Sequence, residues 1–215
     1  MRFYKLKTKL AMYFAGFFIM TLGIALSVKS NLGVSPVSSI PYAMTCIWGI
    51  EMGLATIIFH VILVLMQILI LRKKYKVINL LQIPVGVVFG FFTTLCNYLM
   101  SFAPSPQNLA VRIVMLLLST FFVAFGIFLY VPTALTPLAG EGTMLAVSQV
   151  SGIKFSTVKI IFDISMVLIS LVLCLVFIHS MGSVGIGTII AAVLVGLELK
   201  LITKLLGPIR NKILD

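Results

Sequence analysis

The sequence predicts an all-α polytopic membrane protein of six transmembrane helices. They form an inverted 3+3 repeat, each half with a short re-entrant or broken helix after its first span. Three observations predict it. Hydrophobic residues make up 61% of the 215 and charged residues only 10%, at a mean hydropathy of +1.22. A soluble domain carries about 25% charged residues, so this chain has too few to cover a water-facing surface. Apolar runs of spanning length alternate with short basic clusters. Finally, two shorter apolar stretches, each behind a segment rich in helix breakers, recur at matching places in the two halves.

The elements follow in order. Arg2, Lys5, Lys7 and Lys9 precede the run Leu10–Val28. That run is longer than the roughly 7–15-residue apolar core of a signal peptide, so it reads as a retained first span. The breaker segment Ser30-Asn31-Leu32-Gly33-Val34-Ser35-Pro36 comes next, with Ser35 placed as a helix cap and Pro36 at the first helical position. It introduces the stretch Val37–Gly49, too short to cross a core of about 30 Å as a helix. Leu54–Leu71 is the second span and ends in Arg72, Lys73, Lys74 and Lys76. Ile78–Met100 is the third. Ile113–Val131 is the fourth, followed by Pro132-Thr133-Ala134-Leu135-Thr136-Pro137 and the second short stretch, Gly142–Gly152. Val158–Ile178 and Val184–Leu206 are the fifth and sixth, and Lys200, Lys204, Arg210 and Lys212 close the chain.

An offset of 103 residues superposes the halves, taken as 1–105 and 106–215. Gly23-Ile24 falls on Gly126-Ile127, Leu32 on Leu135, Ala43 on Ala146, and Gly49-Ile50 on Gly152-Ile153. Ile57-Ile58-Phe59 falls on Ile160-Ile161-Phe162, and Val64-Leu65 on Val167-Leu168. A further shift of three places Gly86-x-x-x-Gly90 on Ala192-x-x-x-Gly196. Internal symmetry of this kind is typical of transporter folds. With three spans per half, the second half inserts upside down and both termini face the cytoplasm. The terminal clusters, Arg72–Lys76 and Lys154 then all lie inside, as the positive-inside rule requires. Four spans per half would put Arg72–Lys76 outside.

Ionisable groups within spans are rare and usually functional. Asp163 lies well inside the fifth run, with Lys159 one turn earlier on the same face for pairing. His60 occupies the place in the first half that Asp163 holds in the second. Glu141 stands between Gly140 and Gly142 at the start of the second short stretch, where packing alone explains a carboxylate poorly. Ser35 and Asn31, with Ser38 and Ser39, form a polar patch at a positive helix end. Glu141, Asp163, Lys159, His60, Asn31 and Ser35 are therefore the candidate solute-binding residues. Glu198, Gln82 and Asn79 lie towards the ends of their runs. The Gly86 and Ala192 motifs suit close packing between the halves or in a homodimer.

Other chemistries are weakly represented. The net charge of +11 sits in loops and at the ends, which argues for membrane orientation and against nucleic-acid binding. Cys46, Cys96 and Cys174 are far apart, without metal or redox spacing. Gly185-x-Gly187 lacks the third glycine and the βαβ context of a dinucleotide site. No catalytic residues, metal or cofactor are expected.

The chain resembles the YczE/YyaS/YitT group of bacterial membrane proteins. Gly23-Ile24-Ala25-Leu26, Leu32-Gly33-Val34-Ser35-Pro36 and Gly187-Thr188-Ile189-Ile190 before Gly196 carry the resemblance. It implies a six-helix bacterial inner-membrane protein and carries over no catalytic residues.

The expectation is thus a small-solute transporter or permease of the bacterial plasma membrane. A small polar solute or ion would bind at the midplane between the repeats, with the lipid bilayer as surroundings. The alternatives are a substrate-binding subunit of a multi-protein importer, which needs a separate ATPase, and a non-transporting scaffold or maturation factor, indifferent to Glu141→Gln.

Overall fold

Eight α-helices follow one another in the computed structural model, which describes residues 2–214, with side chains from Leu6 to Leu214. The Arg2 and Lys5 side chains of the N-terminal basic cluster lie outside those described. The helices are α1 (Arg2–Ser30), α2 (Pro36–Trp48), α3 (Met52–Leu71), α4 (Gln82–Ser101), α5 (Leu109–Tyr130), α6 (Ala139–Ser151), α7 (Phe155–Ile178) and α8 (Ile186–Leu214). No strand occurs among the described residues. The third apolar run opens as a 3₁₀ turn, Val77–Leu81, and becomes α-helical only at Gln82. Pro84, with no N–H to donate, is tolerated in that first turn.

Among the described residues, five segments are long and apolar enough to cross a membrane: Leu6–Ser30, Met52–Lys74, Val77–Ser101, Leu109–Thr133 and Phe155–Ile178. α8, where the sixth span is expected, is not among them, and from Glu198 onward it carries that carboxylate and four basic residues. Leu69 on α3, Phe91 on α4, and Ile186 and Ile189 on α8 are each more than 60% exposed. An exterior of this kind suits lipid and not water.

The short helices have the ends their sequences dictate. α2 starts with Pro36 in its first turn, and both α2 and α6 stop at a glycine in the left-handed conformation, Gly49 (φ 66°) and Gly152 (φ 73°). These two glycines hold matching places at the 103-residue offset. α3 begins where the Glu51 carboxylate accepts hydrogen bonds from the Gly53 and Leu54 amides, at 2.9 and 3.0 Å, satisfying donors that a helix start leaves open.

α1 and α5 pack along each other at the centre. A Cβ at Gly16 would fall 2.8 Å from the Gly126 carbonyl, and one at Gly126 would fall 2.6 Å from the Gly16 carbonyl. Glycine lets the two backbones approach, so dispersion contacts replace a hydrophobic effect that is absent in lipid. α4 packs on α1, and α8 on α5. Each short helix lies on the long helix of the other half, α2 on α7 and α6 on α3. Ser39 donates to the Met166 carbonyl at 3.1 Å and its own carbonyl accepts from Ser170 at 3.0 Å. In the other pair, Thr143 donates to the Leu63 carbonyl at 3.3 Å, and Gln67 to the Ala139 carbonyl at 3.1 Å. Leu63 and Met166, like Gln67 and Ser170, are 103 residues apart.

The segments that carry the family resemblance clasp each other. The Gly187 amide donates to the Leu32 carbonyl at 2.8 Å, and the Val34 amide to the Ser183 carbonyl at 3.3 Å. Gly33 has φ 104°, and a Cβ there would lie 2.6 Å from the Gly185 nitrogen and the Thr188 hydroxyl. Only glycine fits both the conformation and the space. These motifs therefore join the loop before α2 to the start of α8.

Candidate functional site

The two halves differ at one contact. α3 and α4 pack closely, with Gly53, Gly86 and Gly90 at the seam. A Cβ at Gly86 would meet the His60 ring at 2.8 Å, and one at Gly90 would meet the Gly53 carbonyl at 2.8 Å. Their matched partners, α7 and α8, do not pack in this way. Gly196, the counterpart of Gly90, has nothing within 4 Å of where its Cβ would stand.

A cavity of about 520 Å³ occupies the space thus left, and all eight helices contribute to its wall. α7 supplies Phe155, Lys159 and Asp163, and α8 supplies Ala192, Val195 and Gly196 among others. The starts of α2 and α6 meet there, since a Cβ on Gly140 would lie 3.5 Å from the Val37 side chain. Two helix N-termini thus point into one space, each a partial positive charge. The Ser35 hydroxyl, placed at the cap of α2, bonds the Ser38 hydroxyl at 3.1 Å instead of a backbone amide. Most of the remaining wall is apolar, including Met20, Phe59, Phe89, Val123 and Met144.

Of the six candidate residues, Glu141, Asp163, Lys159, His60 and Ser35 line this cavity. The Lys159 ammonium donates to Asp163 at 2.8 Å, with the lysine side chain half exposed at 52%. Asp163 keeps its other oxygen buried and without a partner. The Nδ1 atom of His60 is likewise buried and unpartnered, and the ring stacks on Phe89 at 5.7 Å. Asn31 lies elsewhere. It has φ 52°, and its carbonyl accepts from Arg112. Arg112 also donates to the Ser30 carbonyl at 2.7 Å, and Lys29 to the Ala103 carbonyl at 2.6 Å. These cations answer carbonyls left open where helices end.

Sequence reasoning missed Tyr130. It is 2% exposed, lines the cavity beside Glu141, and its hydroxyl closes no hydrogen bond. Nothing in the sequence separates it from any aromatic residue at a span end. Tyr13 reaches the same region, donating to the Thr136 carbonyl at 2.5 Å. Buried polar groups without partners are rare and need an explanation. Here three of them, on His60, Tyr130 and Asp163, belong to residues that line one cavity.

Other polar residues belong to the packing. Gln67 and Gln82 pair side chain to side chain at 2.8 and 3.2 Å, and Gly142 sits against both. Glu198 accepts from Thr120 at 3.1 Å between α5 and α8. Asn79 sits in the 3₁₀ turn before α4. The three cysteines are free thiols, two of them buried.

Comparison with known proteins agrees with a membrane protein. The model of a family of unknown function, DUF6198, matches residues 7–204. The chain is also 25% identical over 190 residues to the uncharacterized membrane protein YczE of Bacillus subtilis (strain 168), covering 87% of this chain and 82% of that one. No solved structure matches it.

Proposed function

We propose that this chain, which belongs to the DUF6198 family of unknown function, is a small-solute transporter of the bacterial plasma membrane. It is a membrane protein with several apolar helices. In this reading α8 is the sixth span, both termini are cytoplasmic, and α1–α4 and α5–α8 form an inverted repeat. α2 and α6 are re-entrant helices whose starts meet near the midplane. Support comes from the exchanged packing of α2 on α7 and of α6 on α3, and in this topology Arg72–Lys76 and Lys154 would fall on the side of the termini, as the positive-inside rule asks. Irregular backbone at membrane depth survives where protein or a cavity surrounds it.

The single observation that carries the reading is the inequality of the halves. α3 and α4 are closed on each other through Gly86 and Gly90, while the matched pair α7 and α8 stands apart around a cavity. Two copies of one unit in opposite orientation, one closed and one open, give a site access to one side only. Exchange of the two conformations gives access to the other side. Gly196 would then close on Ile160 as Gly90 closes on Ile57, and Ala192 on Asp163 as Gly86 closes on His60. No enzymatic step is assigned to the site.

Uptake into liposomes containing the purified protein tests the function. A panel of organic cations, anions and neutral polar solutes should show at least one compound taken up by the native protein. Gly196→Trp, which fills the cavity from a position with free space, should abolish that uptake. A folded protein that moves none of them would overturn the reading and favour the scaffold.

A further inference from the structure

The charges and walls of the cavity define its ligand more closely. Resting on the transport reading, we propose that the cavity takes amphipathic organic cations, with the positive head beside Glu141 and the apolar body between α7 and α8.

Two carboxylates, Glu141 and Asp163, line the cavity against one ammonium, Lys159. That ammonium sits 2.8 Å from Asp163 with half its side chain exposed. One negative charge is therefore left without a full counter-charge, in surroundings where an unpaired charge is expensive. The buried Tyr130 hydroxyl faces Glu141 and puts a second oxygen beside an incoming head group. Phe59, Phe89 and Tyr130 add aromatic rings to the wall, and ring faces attract quaternary ammonium groups. The helix starts argue for an anion only at first sight. Glu141 stands in the first turn of α6 and already answers that positive end. A second anion would meet its repulsion.

Apart from the Ser35, Ser38 and Thr56 hydroxyls, the rest of the wall is largely apolar and disfavours a strongly hydrated ion. Met20, Val123, Met144, Val195 and Leu199 offer it no oxygen. The cavity of about 520 Å³ has room for a trimethylammonium head and a short alkyl chain. The gap between α7 and α8 admits such a chain from the side, where α8 turns Ile189 and Val193 outward.

The test compares three probes that share a hexyl chain: hexyltrimethylammonium, hexanesulfonate and 1-hexanol. Thermal unfolding of the detergent-purified full chain is followed with each. Hexyltrimethylammonium should raise the melting temperature, and the other two should not. Its apparent dissociation constant should rise at least tenfold in Glu141→Gln. Gly196→Leu, which narrows the apolar end at a position with free space, should weaken it as well and decides the matter if Glu141→Gln does not fold. Hexanesulfonate binding as well as the cation, or full binding retained in every variant that folds, would overturn the proposal. Uptake of the same probes by liposomes separates the two claims. Binding of the cation without any uptake removes the transport reading and leaves the ligand class standing. Uptake of hexanesulfonate in preference to the cation keeps transport and removes the ligand class.

Discussion

His60 on α3 and Asp163 on α7, 103 residues apart in sequence, line the same cavity from opposite halves of the protein. His60 is closed over by Gly86 of α4, whereas no helix closes over Asp163 in the same way. Two helix pairs at matching places in the sequence, α3–α4 and α7–α8, are thus packed in two ways within one chain. Consequences for stability and binding follow from that difference.

Gly90 and Gly196 should respond oppositely to the same substitution. A side chain at Gly90 enters the seam with Ile57 and Gly53, where overpacking costs about 1–3 kcal/mol. Gly196→Val meets free space and should stay within about 0.5 kcal/mol of the native protein. Reversible unfolding in detergent measures both, and equal losses would contradict the assignment of closed and open pairs.

Lys159→Met should separate stability from binding. Lys159 is the cation beside Asp163, a carboxylate only 17% exposed with its other oxygen buried, so its loss should cost about 3–5 kcal/mol. Two carboxylates then remain without a cation, and hexyltrimethylammonium should bind several-fold more tightly. Titration by thermal shift checks this, and weaker binding would count against the charge argument.

Gln67→Leu leaves the Gln82 amide buried without its partner and the Ala139 carbonyl with Thr143 as its remaining side-chain donor, at a cost of about 1–3 kcal/mol. Adding Gln82→Leu should cost less than the sum of the single changes, because residues in contact are not independent. An additive result in a double-mutant cycle would show that the two amides do not act as a pair.

Much of this arrangement was legible in the sequence because membrane helices carry their own signals. Apolar runs located the long helices, Ser35-Pro36 located the start of α2, and Gly49 and Gly152 marked the ends of the short helices to the residue. Five of the six candidate residues line one cavity because rare polar groups in an apolar chain have few other places to go. Asn31 departed because its place in the loop, with a positive φ and a carbonyl turned to Arg112, depends on contacts 81 residues away. Tyr130 was invisible for a related reason, since an aromatic residue at a span end is ordinary until its hydroxyl is seen to face Glu141. The parting of α7 and α8 was also hidden. Ala192-x-x-x-Gly196 tells that two helices are able to approach, and the same motif serves whether they have done so or not.

The exchange between closed and open halves is tested most directly by distances across both helix pairs in lipid. Spin labels at Ile164 and Val193, both exposed on α7 and α8, report the open pair, and labels at Leu54 and Leu95 report the closed one. The expected result is two distances for each pair, with Gly90→Val shortening the α7–α8 distance as it lengthens that between α3 and α4. A single distance for each pair, unmoved by Gly90→Val and by hexyltrimethylammonium, would contradict the exchange and the transport mechanism built on it.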